Sequence, residues 1–357
     1  MANQNIDVPR FYTDLVAYHR ARGSAVGTIK SDISNTLPAL SGSADELFDL
    51  RPLNQVTFDT GSNTSKHVLV NIGFTTASYK QNYIAILNHN LASSAGKIRI
   101  FTGDEDDDHT AIDGASADTA DINWGSVTVS EAVNADARTA ASNGKSMVIE
   151  PATDGTTIIT FPEQDLRFWS IQFEGNTTNT GNAIDGTWGS TDLRVGGIMI
   201  GEYFDMPHAP DINLTRSVDY DHVNVQESLG GQRYATSTSL GRTATATSKS
   251  PFQVGNYDQT KYGGRQVYNL NFSYLDATDV LPNEYNTYQH GNDSVISDVW
   301  NLVDGPTRPF IFSIDNTSAG ANAESEHIFA RFDQSSLSMV QNSVSTYNIS
   351  LKISEEF

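Results

Sequence analysis

The chain has 357 residues, enough for two domains, since single cores rarely grow past about 250–300 residues. Its 43 acidic residues against 22 basic ones give a formal charge of −21, which repels nucleic acid and anionic membranes and argues against duplex DNA as a partner. There is no cysteine, hence no disulfide, thiolate metal site or cysteine nucleophile, and no apolar run approaches the roughly 20 residues needed to span a bilayer.

Taken in order, residues 1–54 form an N-terminal helical and extended segment. Phe11, Leu15, Val16 and Ala17 lie close to i, i+4 spacing, with Pro9 before them and Gly23 after a basic last turn, which predicts a helix over 11–22. The start of the chain lacks both a basic n-region and an apolar h-region, so a product kept inside the cell is expected. Residues 55–204 change to short alternating strands near 66–74, 82–87, 97–101, 146–149, 156–161, 167–173 and 194–203, the pattern of a β-sandwich. The connections at 102–145 and 174–191 read as long loops of the kind that carry contacts. Pro207 and Pro210 mark a stiff linker, and residues 205–264 read as that linker followed by Ser/Thr-rich stretches at 213–216 and 234–247, a strand pair or an extended arm laid on a neighbour. Residues 265–357 hold a strand at 265–275, one amphipathic helix at 295–303 and further strands at 309–315, 327–332 and 346–355. The expected fold class is mainly β.

The chemistry in the sequence is sparse. Asp104, Asp106 and Asp108 lie at alternate positions, as at the start of a Ca²⁺-binding loop, but His109 and Ala115 stand where an EF-hand needs glycine and glutamate. They remain a candidate cation loop beside the plainer reading of a solvated acidic tip. The histidines show no metal-ligand spacing, and there is no nucleophile elbow, phosphate loop or dinucleotide fingerprint. His89, at the end of an apolar strand, is expected to fix a turn by hydrogen bonds. Trp124 and Trp188 fall in the long loops and are the candidate contacts for a partner protein or a glycan. No catalytic residue and no cofactor other than Ca²⁺ is expected.

Two stretches resemble known families. Residues 66–74, 83–91 and 97–100, with Arg194 to Tyr203 closing the segment, resemble galactose-binding-like jelly rolls common in phage structural proteins. Residues 265–355, with Trp300, Pro309, Phe310 and the run from Leu351 to Glu355, resemble the tail-tube-like β-barrel of bacteriophage distal-tail and baseplate-hub proteins, a sheet flanked by one helix. The resemblance implies a virion tail protein, assembled in the host cytoplasm as a homo-oligomeric, hexameric ring. Tail tube, hub and fibre proteins would be its neighbours, and the jelly roll would point outward to fibres or host-surface glycan. The alternatives are a carbohydrate-binding β-sandwich protein and a capsid decoration or connector protein.

Overall fold

The computed structural model describes residues 6–31, 35–74, 80–103, 122–142, 144–176, 186–219, 223–237, 265–282, 293–318 and 326–356. Strand β1 (Arg10–Asp14) turns directly into helix α1 (Leu15–Arg20), followed by β2 (Thr28–Lys30), α2 (Ala44–Leu47) and β3 (Val56–Phe58). Next come β4 (Val68–Gly73), β5 (Gln81–His89), β6 (Gly96–Gly103), β7 (Ser130–Val133), β8 (Ala137–Ala140) and β9 (Met147–Glu150). The sandwich is completed by β10 (Gly155–Gln164), β11 (Phe168–Gly175), β12 (Leu193–Val195) and β13 (Gly197–Asp205). Beyond it lie β14 (Thr215–Asp219), β15 (Val223–Glu227), β16 (Arg233–Ser237) and β17 (Arg265–Asp276), then helix α3 (Ala277–Val280) and a π-helical turn, Val295–Trp300. The last strands are β18 (Phe310–Ser313), β19 (His327–Phe332), β20 (Met339–Ser343) and β21 (Thr346–Glu355).

The protein is mainly β, built from antiparallel sheets. Strands β2-β4-β11-β6-β9-β8 form a six-stranded sheet, which faces the β13-β5-β10-β7 part of an eleven-stranded one. Val70, Ile72, Ile100 and Ile171 of the first meet Ile84, Ile86, Ile159 and Ile198 of the second in one core. This is a β-sandwich, consistent with a jelly roll. Apolar alternation produced these strands because each has one face on that core. Strands β7 and β8 lie inside the stretch read as a loop at 102–145, where their short length and partly exposed pattern hid them.

The eleven-stranded sheet does not stop at the sandwich. Its order β14-β17-β21-β19-β18-β1-β13-β5-β10-β7 carries it across residues 265–357 as well, with β1 in the middle. Arg10 to Asp14 pair with Asp205 to Gly201 on one side, and Arg10 to Tyr12 with Ser313 to Ile311 on the other. Successive side chains therefore enter different cores. Phe11 packs within 5.3 Å of Phe312 and 5.6 Å of Phe310, while Tyr12 turns to the opposite face, 5.0 Å from Tyr83. Arg10 adds a bidentate pair to Asp205, at 2.5 and 2.7 Å.

The helix expected over 11–22 is thus corrected to Leu15–Arg20. Two hydrogen-bonded ladders outweigh the weak helical preference of Phe11, Tyr12 and Thr13. Asp14 makes the switch: its carboxylate accepts from Val16 N at 3.0 Å and Ala17 N at 3.1 Å, capping the helix. Phe11→Ala should cost about 3–5 kcal/mol in chemical denaturation, because the void opens where β1 meets β18 and β19.

Candidate interaction site

The expected cation loop at Asp104, Asp106 and Asp108 lies outside the described residues. Trp124 and Trp188 are corrected from surface contacts to interior residues, only 1% and 3% exposed. The Trp124 ring meets Phe161 at 5.8 Å and Trp169 at 6.5 Å, both edge-on. Trp188 donates from Nε1 to the Lys66 carbonyl at 2.6 Å. A Cβ on Gly96 would lie 2.4 Å from the Trp188 ring, so that glycine is what admits the indole. Apolar surface drew both rings inward from segments that looked solvated in sequence. Neither has a free face for a sugar.

The interior polar groups build structure. His89 Nδ1 accepts from Leu91 N at 3.3 Å, so Nε2 carries the proton and donates to Thr157 Oγ1 at 2.8 Å. Burial pushes the His89 ring down to about 3, and it stays neutral. Arg99 and Glu174 form a fully buried ion pair at 2.8 Å, braced by Ser146 and by Gln172. Among the described residues, no group of three or more His, Cys, Asp or Glu is placed to hold a metal ion. No helix there is long and apolar enough to cross a membrane.

Acids gather where β1, β13 and the π-helical turn meet. Thr13 Oγ1 lies 3.1 Å from the Glu202 carbonyl and 3.4 Å from that of Asp298, tying the three elements together. Asp298 accepts from Ser294 N at 3.0 Å and Ser297 Oγ at 2.9 Å. No described donor reaches Glu202 Oε2. Burial, with the nearby Asp298 charge, raises Glu202 to about 8, and burial raises Asp14 to about 7 against its backbone hydrogen bonds.

Two further features face solvent. Between α1, residues 48–54, residues 307–309 and β19 lies a cleft of about 990 Å³, whose lining includes Arg20, Arg51, Arg308 and Arg331, ion pairs tying Arg20, Arg308 and Arg331 to Asp45, Asp304 and Glu356. Across the C-terminal module, β14-β17-β21-β20 forms a run of sheet whose end strands have no other partner among the described strands. All five residues of β14 and all five of β20 are exposed. Among the described strands β15 and β16 pair only with each other, and Val225 and Tyr234 stand 57% and 54% exposed. No protein-family model matches this chain, and no curated protein is similar to it in sequence.

Within residues 205–264, expected as linker and arm, β14 pairs with β17 and β15 with β16. Sequence reasoning missed the cleft and the acid junction, whose members are far apart in the chain and carry no local motif.

The acid junction makes stability depend on pH. Glu202 is ordinarily near 4.5 and is held at about 8 when folded, so the unfolded chain releases this proton first. Its penalty is absent at acid pH, grows as pH rises through the ordinary value, and is complete above the folded one. Glu202→Gln should flatten the fall in stability between about pH 5 and 8 and raise stability at pH 8 by about 2–4 kcal/mol, read from urea midpoints across pH. An unchanged profile would show that Glu202 is ionised when folded.

Proposed function

We propose that this protein is a structural subunit of a multi-copy assembly and that its copies join through the C-terminal module. The observation that carries this reading is the β15–β16 ribbon. An isolated two-stranded ribbon is marginal in water, and this one has all of residues 223–227 exposed and no third strand among the described residues. A neighbouring copy would give it the face it lacks. The open edges of β14 and β20 support the same reading, because unpaired strand edges are templates for another chain. Strand β20 runs Met339, Val340, Gln341, Asn342, Ser343, with no charge or proline to block pairing. Edges on opposite sides of one sheet give a head-to-tail contact, which closes into a ring when the rotation allows.

The resemblance of residues 265–355 to ring-forming tail modules favours a phage virion, with the ring at the tail tip or baseplate and the sandwich as its outward appendage. A hexamer among tail tube, hub and fibre proteins is the arrangement that resemblance implies. Carbohydrate binding is less favoured, since its two motivating tryptophans are interior.

The wild-type chain should form a discrete oligomer in size-exclusion chromatography with light scattering. Val225→Asp combined with Tyr234→Asp should shift it to monomer while leaving the denaturation midpoint nearly unchanged, because both side chains are exposed. A wild type that stays monomeric at high concentration, or a variant that assembles equally well, would sink the proposal.

A further inference from the structure

We propose that Tyr274 anchors an acceptor surface at one end of the C-terminal sheet, and that its occupant is the β15–β16 ribbon of a second copy of this chain. This rests on the reading of the protein as a self-assembling subunit and says which two surfaces meet. Regular alternation along β17 would send Tyr274 inward, after the buried Leu270 and Phe272, and leave Leu275 outside. A bulge between Phe272 and Leu275 reverses this, so that Leu275 is fully buried and Tyr274 stands 77% exposed. Tyr274 has φ of 64°, a left-handed conformation that bulky side chains rarely adopt. The backbone is strained at the one residue of this strand that presents an aromatic ring to solvent, and such strain gathers at binding sites.

The ring has apolar neighbours along the same end of the sheet. Tyr274 N donates to Asn348 Oδ1 at 3.1 Å, and Asn348 lies directly opposite the exposed Val340 of β20. Val344, also exposed, stands in the turn from β20 to β21, where the Ser345 carbonyl accepts from Ala277 N at 2.9 Å just beyond β17. On the other edge Ile212 is exposed in a turn that Asp211 N ties to the Asn271 carbonyl at 2.8 Å.

The ribbon offers matching chemistry. Val225 pairs opposite Ala235, and Val223 lies two positions before it, so these three exposed side chains share one face, with Leu229 exposed at the tip. Only a second copy brings ribbon and acceptor together. The ribbon follows Asp219, which pairs with Arg265 at the start of β17, and Tyr274 lies about 30 Å further along at the rise of a strand. Within one chain both surfaces remain exposed. A donor at one end and an acceptor at the other make a head-to-tail contact, and Val340 makes the acceptor continuous with the open edge of β20.

The full chain has no cysteine, so a Val225→Cys, Val344→Cys double variant can be treated with a short bismaleimide, which keeps Tyr274 in place. Denaturing gels should show a ladder of covalent multimers, whereas each single variant, and Val225→Cys combined with Leu40→Cys on the N-terminal module, should stay monomeric. Tyr274→Asn removes the ring and keeps a residue that tolerates the left-handed backbone. It should raise the concentration of half-assembly in light scattering by about tenfold or more, with the denaturation midpoint no lower than wild type. A protein that assembles while the 225/344 variant cross-links no better than the Leu40 control, or while Tyr274→Asn assembles like wild type, would overturn this contact and leave self-assembly standing. Dimers from a single variant would overturn the head-to-tail arrangement, and a wild type that stays monomeric would overturn both readings.

Discussion

The fold depends on one strand with two partners. Residues 10–14 supply hydrogen bonds to β13 on one edge and to β18 on the other, turning two β modules into one eleven-stranded sheet. Phe11 fills the aromatic core under β18 and β19, and Tyr12 packs on the other face between Tyr83 and His327. A strand buried on both edges and both faces has no solvent-facing direction in which to relax. Because its partners lie near residues 205 and 313, these ladders close only between parts of the chain far apart in sequence, at a large entropic cost before any reward.

Electrostatics follows the same line. Among the described residues most acidic side chains lie outside the buried core, where they favour solubility. Near the central strand the distribution changes: Asp14, Glu202 and Asp298 are buried together, and arginines gather at the neighbouring cleft. A buried carboxyl with an unfilled oxygen is costly when ionised. Protonation of Glu202 relieves that cost, which couples the contact between the modules to pH. The arginines beyond it are held both by backbone carbonyls and by ion pairs to Asp45, Asp304 and Glu356.

Local patterning was a good guide wherever a strand had one face on a core and another toward polar surroundings. The alternation at 265–275 and 346–355 matches β17 and β21, which pair along most of their length. It was a poor guide where long-range pairing overruled it. Phe11 and Leu15 share helical spacing, yet one is in a strand and the other in a helix, because Asp14 between them caps the turn. Trp124 and Trp188 sat among Gly, Asn, Thr and Asp, and neighbour composition said nothing of the cavities that Phe161, Trp169 and Gly96 form for them.

The sequence by itself determined the mainly β class, the positions of most strands, and the acidic character of the chain, since each depends on residues within a few positions of one another or on a simple count. Only tertiary structure decided that β1 joins both modules, that the loop tryptophans are core, and that four arginines face one cleft. Those outcomes depend on strand order and register, which bring together residues hundreds of positions apart. Side-chain periodicity specifies which face of a strand is buried, and it carries no information about which strand lies beside it.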